Sequence, residues 1–147
     1  MNPVESVDIL LVEDNPQDVE LTIRALKKRN LANRVYVVED GAEALDFLFN
    51  RGKYENRESS QRPKVVLMDI KLPKLNGLEV LRVIKNDGAL RSIPVVMVTS
   101  SREDPDIRTA YQLGANSYVV KPVDFDAFVD AMSSLGFYWL LINEAPD

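Results

Sequence analysis

The sequence predicts an α/β fold, a doubly wound (βα)5 three-layer sandwich with a parallel five-stranded sheet. Three observations lead there. Short β-rich apolar runs alternate with segments whose apolar residues recur at helical spacing, the pattern of βα units. Right-handed crossovers between such strands place helices on both faces of the sheet. The chain has 147 residues, 46% of them hydrophobic and 28% charged, which suits one compact domain with a real core.

The elements follow in order. Val7–Val12 reads as the first strand and ends abruptly at Glu13-Asp14. Asn15-Pro16 then supplies an N-cap and a first-turn proline for a helix over Pro16–Arg29, with Val19, Ile23 and Leu26 on one stripe. Val35–Val38 is the second strand, and Gly41–Asn50 the second helix, with Ala44, Leu45 and Leu48 facing inward. Arg51–Pro63 is polar and charged and reads as a surface loop, longer than most connections. Val65–Met68 is a buried strand stopping at Asp69; Leu78, Leu81 and Ile84 mark the third helix after a turn at Gly77. Val95–Val98 is the fourth strand, stopping at Thr99. Asp104-Pro105 opens the fourth helix and Gly114 closes it. Tyr118–Val120 is a short fifth strand before Lys121-Pro122. The last helix begins near Asp124, with Phe125, Phe128, Val129 and Met132 on one stripe. No internal repeat or interdomain linker interrupts this order, so residues 1–147 are expected to form a single domain.

Composition removes several functions. Eighteen Lys+Arg against 23 Asp+Glu give a formal charge of −5, the wrong balance for gripping phosphate backbones, so no nucleic-acid partner is expected. With no cysteine and no histidine, disulfides, thiolate chemistry, a Ser-His-Asp triad and imidazole metal ligands are all excluded. The first eight residues are polar and acidic, unlike a signal peptide, and the longest apolar run, Phe137–Ile142, is too short to cross a bilayer. A cytoplasmic protein without a membrane partner is the expectation.

The remaining chemistry gathers at one place. Parallel strands share a C-terminal edge, where open α/β sheets bind ligands. There the first strand delivers Glu13 and Asp14, the third Asp69, the fourth Thr99 and the fifth Lys121. Alone, each is an ordinary turn or cap residue; the joint pattern is not. Carboxylates about 5 Å apart repel by roughly 3 kcal/mol per pair at an effective dielectric near 20, and a cation relieves them. Hard oxygen ligands with room for water suit Mg²⁺. Asp69 is then a carboxylate nucleophile for phosphoryl transfer, Lys121 a charge for an outlying phosphoryl oxygen, and Thr99 a hydroxyl donor.

These segments, ILLVEDNPQD, VVLMDIKLPKLNG, VVMVTSS and GANSYVVKP, resemble the receiver domains of two-component response regulators over essentially the whole chain. The resemblance implies strand order 2-1-3-4-5, as in flavodoxin-like sheets. It implies that Asp69 accepts a phosphoryl group from a phosphohistidine on a sensor histidine kinase. Asp14 and Asp69 would hold Mg²⁺ directly with the backbone carbonyl of Lys71, and Glu13 largely through water. Thr99 and Tyr118 match the family's switch pair, Lys121 its phosphoryl-binding lysine, and the Lys121–Pro122 peptide bond would be cis. The 51–63 insertion and the apolar extension at 137–147 are similar to regulators partnering bacterial phytochrome-type kinases.

The sequence ends after the last helix, so a single-domain regulator acting by protein contact is expected. The apolar extension suggests a homodimer through the last helix and the fifth-strand face. Two other classes fit less well. A Mg²⁺-dependent phosphohydrolase with an aspartyl-phosphate intermediate would want a second Asp where Lys71 stands. A flavin module would want a hydroxyl-rich loop where Glu13-Asp14 stands.

Overall fold

Runs of apolar residues with no polar face bury both sides of a strand, and the central strands here do so completely. The computed structural model describes residues 7–27, 34–57 and 62–134. Strands β1 (Ile9–Val12), β3 (Val65–Asp69) and β4 (Val95–Thr99) are buried at every position, whereas β2 (Val35–Val38) and β5 (Ser117–Val120) are half-buried edges. All pairings are parallel, in order β2-β1-β3-β4-β5.

The two-residue strand period divides the core into two layers. Leu10, Val12, Val66, Met68, Val95 and Met97 face one way, onto α2 (Gly41–Leu48), α3 (Gly77–Asn86) and α4 (Asp106–Gln112). Their neighbours Ile9, Leu11, Val65, Leu67, Val96 and Val98 face the other, onto α1 (Pro16–Lys27) and α5 (Phe125–Ser134), where Leu26 and Phe128 are fully buried. Burying one such side chain contributes about 1.5–3 kcal/mol, so the two layers are the dominant source of stability. None of the helices among the described residues is long and apolar enough to cross a membrane.

Several boundaries move from those the sequence predicts. β1 begins at Ile9, the first residue in register with both neighbours; at Asp8 the carbonyl accepts from the amides of Lys64 and Val65, outside the ladder. α2 ends at Leu48 rather than Asn50, because Asn50 turns into the left-handed region (φ 54°). The third helix starts at Gly77 itself, capped by Asn76, whose side chain accepts from the Glu79 amide at 3.0 Å. α4 opens at Asp106, where Asp104 Oδ1 accepts the first free amide at 2.9 Å.

The largest departure concerns 51–63. Its first part is not a solvated loop: Gly52–Tyr54 forms a 3-10 turn, and Tyr54 and Arg57 are buried. The Arg57 guanidinium lies 3.8 Å over the Phe47 ring and donates to the Phe47 carbonyl at 2.8 Å and Asn50 Oδ1 at 3.0 Å. The Tyr54 hydroxyl donates to Glu43 Oε2 at 2.6 Å and meets the Tyr36 hydroxyl at 2.9 Å. Stacking and hydrogen bonds thus satisfy residues whose polarity alone points to solvent. The expected extension at 137–147 lies outside the described residues.

Candidate functional site

The sheet order sets which strand ends meet. β1 and β3 are adjacent at its centre, so Glu13 and Asp14, just past β1, stand beside Asp69, the last residue of β3. Glu13 is anchored by its own amide, which donates to the Val38 carbonyl at 3.0 Å, and is 3% exposed; Asp14 turns to solvent. Carboxylate oxygens of Glu13, Asp14 and Asp69 all lie within 4.8 Å of one another. This donor set contains only hard, anionic oxygens with one open side, and it fits a divalent cation that keeps water.

Lys121 enters from the far edge. Its amide donates to the Thr99 carbonyl at 2.8 Å, fixing the turn after β5, and its side chain reaches Asp69 Oδ2 at 2.7 Å and Glu13 Oε1 at 3.0 Å. The peptide bond from Lys121 to Pro122 is cis. Asp69 Oδ1 accepts from the Lys71 amide at 3.2 Å, so each acceptor oxygen of Asp69 has a donor. Gly77 packs against this turn so closely that a Cβ there would run into the Asp69 carbonyl, and its amide donates to Ile70 at 2.7 Å.

The electrostatics are those of an acid-rich pocket with one counter-charge. Burial pushes the Glu13 carboxyl up to about 7; Lys121 opposes this and the neighbouring Asp69 charge adds to it. Burial alone would lower Lys121, but its hydrogen bonds to Asp69, Glu13 and Asp18 prevail and hold it above the usual lysine range.

Thr99 is buried at the end of β4, and its hydroxyl lies 3.0 Å from Asp104 Oδ2 and 3.2 Å from the Ser101 carbonyl. It is engaged with the β4–α4 connection rather than with Asp69. Tyr118 on β5 is half-buried and meets Tyr111 of α4 edge-on, ring centres 6.2 Å apart. The structure therefore gathers Glu13, Asp14, Asp69, Lys71 and Lys121 into one cluster and leaves Thr99 and Tyr118 beside it, on the α4 side.

One residue escaped the sequence reading, and another was read for only part of its role. Asp18, in the first turn of α1, accepts from Lys121 at 3.0 Å. Asp104 holds the Thr99 hydroxyl with one oxygen while its other caps α4. For Asp18 the signal was its place in the first turn of the helix that follows Glu13 and Asp14, close in the chain to that strand end.

The geometry has counterparts. Residues 9–133 match the family described as response regulator receiver domain. Among solved structures, the bacteriophytochrome response regulator AtBRR is 56% identical, with TM-score 0.84, covering 95% of this chain and 99% of its own. The bacteriophytochrome response regulator RtBRR is 52% identical, with TM-score 0.85, covering 96% of this chain and 84% of its own. The response regulator Rcp1 of Synechocystis sp. is 36% identical over 132 residues, 90% of this chain and 88% of that protein. Rcp1 has been solved in a Mn²⁺-bound form, with TM-score 0.73 and 34% identity over 96% of this chain and 99% of its own.

Proposed function

This chain belongs to the response regulator receiver domain family, and from that premise we propose that Asp69 is its phosphoacceptor. The protein is a phosphoacceptor signalling module of a two-component system, and its partner is a histidine kinase. The observation that carries the assignment is the cluster itself: three carboxylates within 4.8 Å, with a lysine 2.7 Å from the one at the end of β3.

Asp69 presents an oxygen to the incoming phosphorus while the Lys71 amide and Lys121 fix the orientation of its carboxylate. Lys121 then passes from Asp69 Oδ2 to a phosphoryl oxygen, carrying its charge with it. Glu13, Asp14, Asp69 and the Lys71 carbonyl are the ligands we assign to Mg²⁺. When bound, that ion neutralises charge on the phosphoryl oxygens. The same groups support uptake from small phosphodonors and later hydrolysis. Thr99 gives up Asp104 for the new anion, and Tyr118 turns into the space it leaves, changing the α4–β5–α5 face.

The likeness to bacteriophytochrome regulators supports a phytochrome-type kinase as the donor and the cytoplasm as the setting. The half-buried edge of β5 supports a homodimer through that face and the last helix, in a chain forming one domain over 1–147. Sedimentation tests the dimer: replacing Trp139 and Leu140 by Ser should give a folded monomer, and a monomeric wild type would refute it. The phosphohydrolase reading is disfavoured by Lys71 in place of the second Asp.

Incubation with acetyl phosphate and Mg²⁺ tests the acceptor. One phosphoryl group should appear in the intact mass and be lost to hydroxylamine. Its persistence in Asp69→Asn would refute the assignment.

A further inference from the structure

An ammonium has three N–H donors, and Lys121 directs them at three carboxylates: Asp69 Oδ2 at 2.7 Å, Glu13 Oε1 at 3.0 Å and Asp18 Oδ2 at 3.0 Å. Glu13 and Asp69 also belong to the group of acids suited to the cation; Asp18 does not. Its side chain is 29% exposed, against 4% for Glu13 and 9% for Asp69. Asn15 Oδ1 accepts the Asp18 amide at 3.2 Å and so fixes the first turn of α1 that carries it. Asp18 is thus the rim partner of Lys121, in contact with the ammonium and standing outside the metal cluster.

We propose that Asp18 is a specificity-determining residue of the acceptor site: it holds Lys121 in place and sets a fixed negative charge at the mouth that disfavours small anionic phosphodonors. The inference rests on the reading of Asp69 as the acceptor. In transfer from acetyl phosphate, an Asp69 oxygen forms the new P–O bond as the bond from phosphorus to the acetyl oxygen breaks, and the electron pair leaves with acetate. The phosphoryl oxygens arrive charged and share one ammonium with Asp18. A dianionic donor therefore meets more repulsion at this rim than a monoanionic one. A protein donor offsets that repulsion with the binding energy of its own contacts, and a free donor has none to spend.

The test follows phosphoryl uptake by intact mass for the full chain in Mg²⁺, near pH 7 and at low salt. The donors are acetyl phosphate, a dianion there, and phosphoramidate, a monoanion. Asp18→Asn keeps an oxygen for Lys121 and removes the charge. It should take up phosphoryl from acetyl phosphate about fivefold faster, the size of an exposed charge-pair effect. The gain should shrink as salt is raised and be smaller with phosphoramidate. Asp18→Glu, which restores the charge, should restore the wild-type ratio between the donors. Equal or slower uptake by Asp18→Asn, or a gain indifferent to donor charge and salt, overturns the proposal and leaves Asp69 as acceptor. Uptake that survives in Asp69→Asn instead overturns the reading beneath it.

Discussion

Replacing Lys121 by Met removes the one cation among the described residues that touches Glu13, Asp69 and Asp18 at once, while keeping much of the aliphatic stem. In metal-free buffer at pH 8 the cost should be about 3 kcal/mol, because breaking one side of a buried pair strands its partners. Glu13 and Asp69 supply nearly all of it; the Asp18 contact, at 29% exposure, is screened and adds well under 1 kcal/mol. Two conditions should shrink the loss. Saturating Mg²⁺ gives the acids another counter-charge. Lowering the pH to about 5.5 neutralises Glu13, whose carboxyl is raised by burial, then by Asp69, to about 7. The sign is set by that raised value: Glu13 favours the native state fully below its ordinary value of 4.5, and the benefit is lost as the pH rises through about 7. The metal-free wild type should therefore itself lose up to about 2.5 kcal/mol between pH 5 and 8. Asp40 and Glu43, both lowered, give up their stabilisation only toward acid, and Lys121, raised, only toward strong base, so neither blurs this window. Urea unfolding at both pH values, with and without Mg²⁺, measures all four corners. A Lys121→Met penalty that is the same at every corner would refute the reasoning.

Asp14→Asn should abolish most of the rise in melting temperature that Mg²⁺ gives the wild type, since Asp14 is the exposed member of the cluster and does not touch Lys121; an unchanged response in a thermal scan would count against it as a ligand. Thr99→Ala should still be phosphorylated on Asp69 yet transmit poorly, read as partner binding with and without acetyl phosphate; normal discrimination would break the link between Thr99 and the α4 face. Arg57→Ala should cost about 2 kcal/mol in urea unfolding, from the lost stack on Phe47 and the lost guanidinium donor to the Phe47 carbonyl, which keeps the Asn50 amide at 3.3 Å, with phosphoryl uptake unaffected. A slowed uptake in a folded Arg57→Ala protein would give that region a role beyond packing.

Strands were legible in the sequence because burial on both faces leaves an unmistakable apolar run, and the residue ending each run fell at the shared edge. That is why Glu13, Asp14, Asp69, Thr99 and Lys121 could be named together. What stayed hidden depended on partners distant in the chain. Arg57 and Tyr54 read as solvent-facing until Phe47, Glu43 and Tyr36 are seen to satisfy them. The sequence alone gives Asp18 no partner; Lys121, 103 positions later, is found against it. Asp104 was legible as a helix opener, but its grip on Thr99 uses the second carboxylate oxygen, which capping patterns do not specify.

On the switch role proposed for Thr99, that double use of Asp104 would tie reactivity to recognition. One oxygen steadies the start of α4 and the other keeps the Thr99 hydroxyl, so a shift of that hydroxyl toward Asp69 alters the support of a helix several residues away. Equilibria joined in this way are reciprocal. A partner that grips α4 more tightly once Asp104 has released Thr99 must, by the same free energy, favour the phosphorylated form of Asp69. Such a binder would act as reader and as stabiliser of the message together, and its concentration would set how much of the protein stays charged with phosphate.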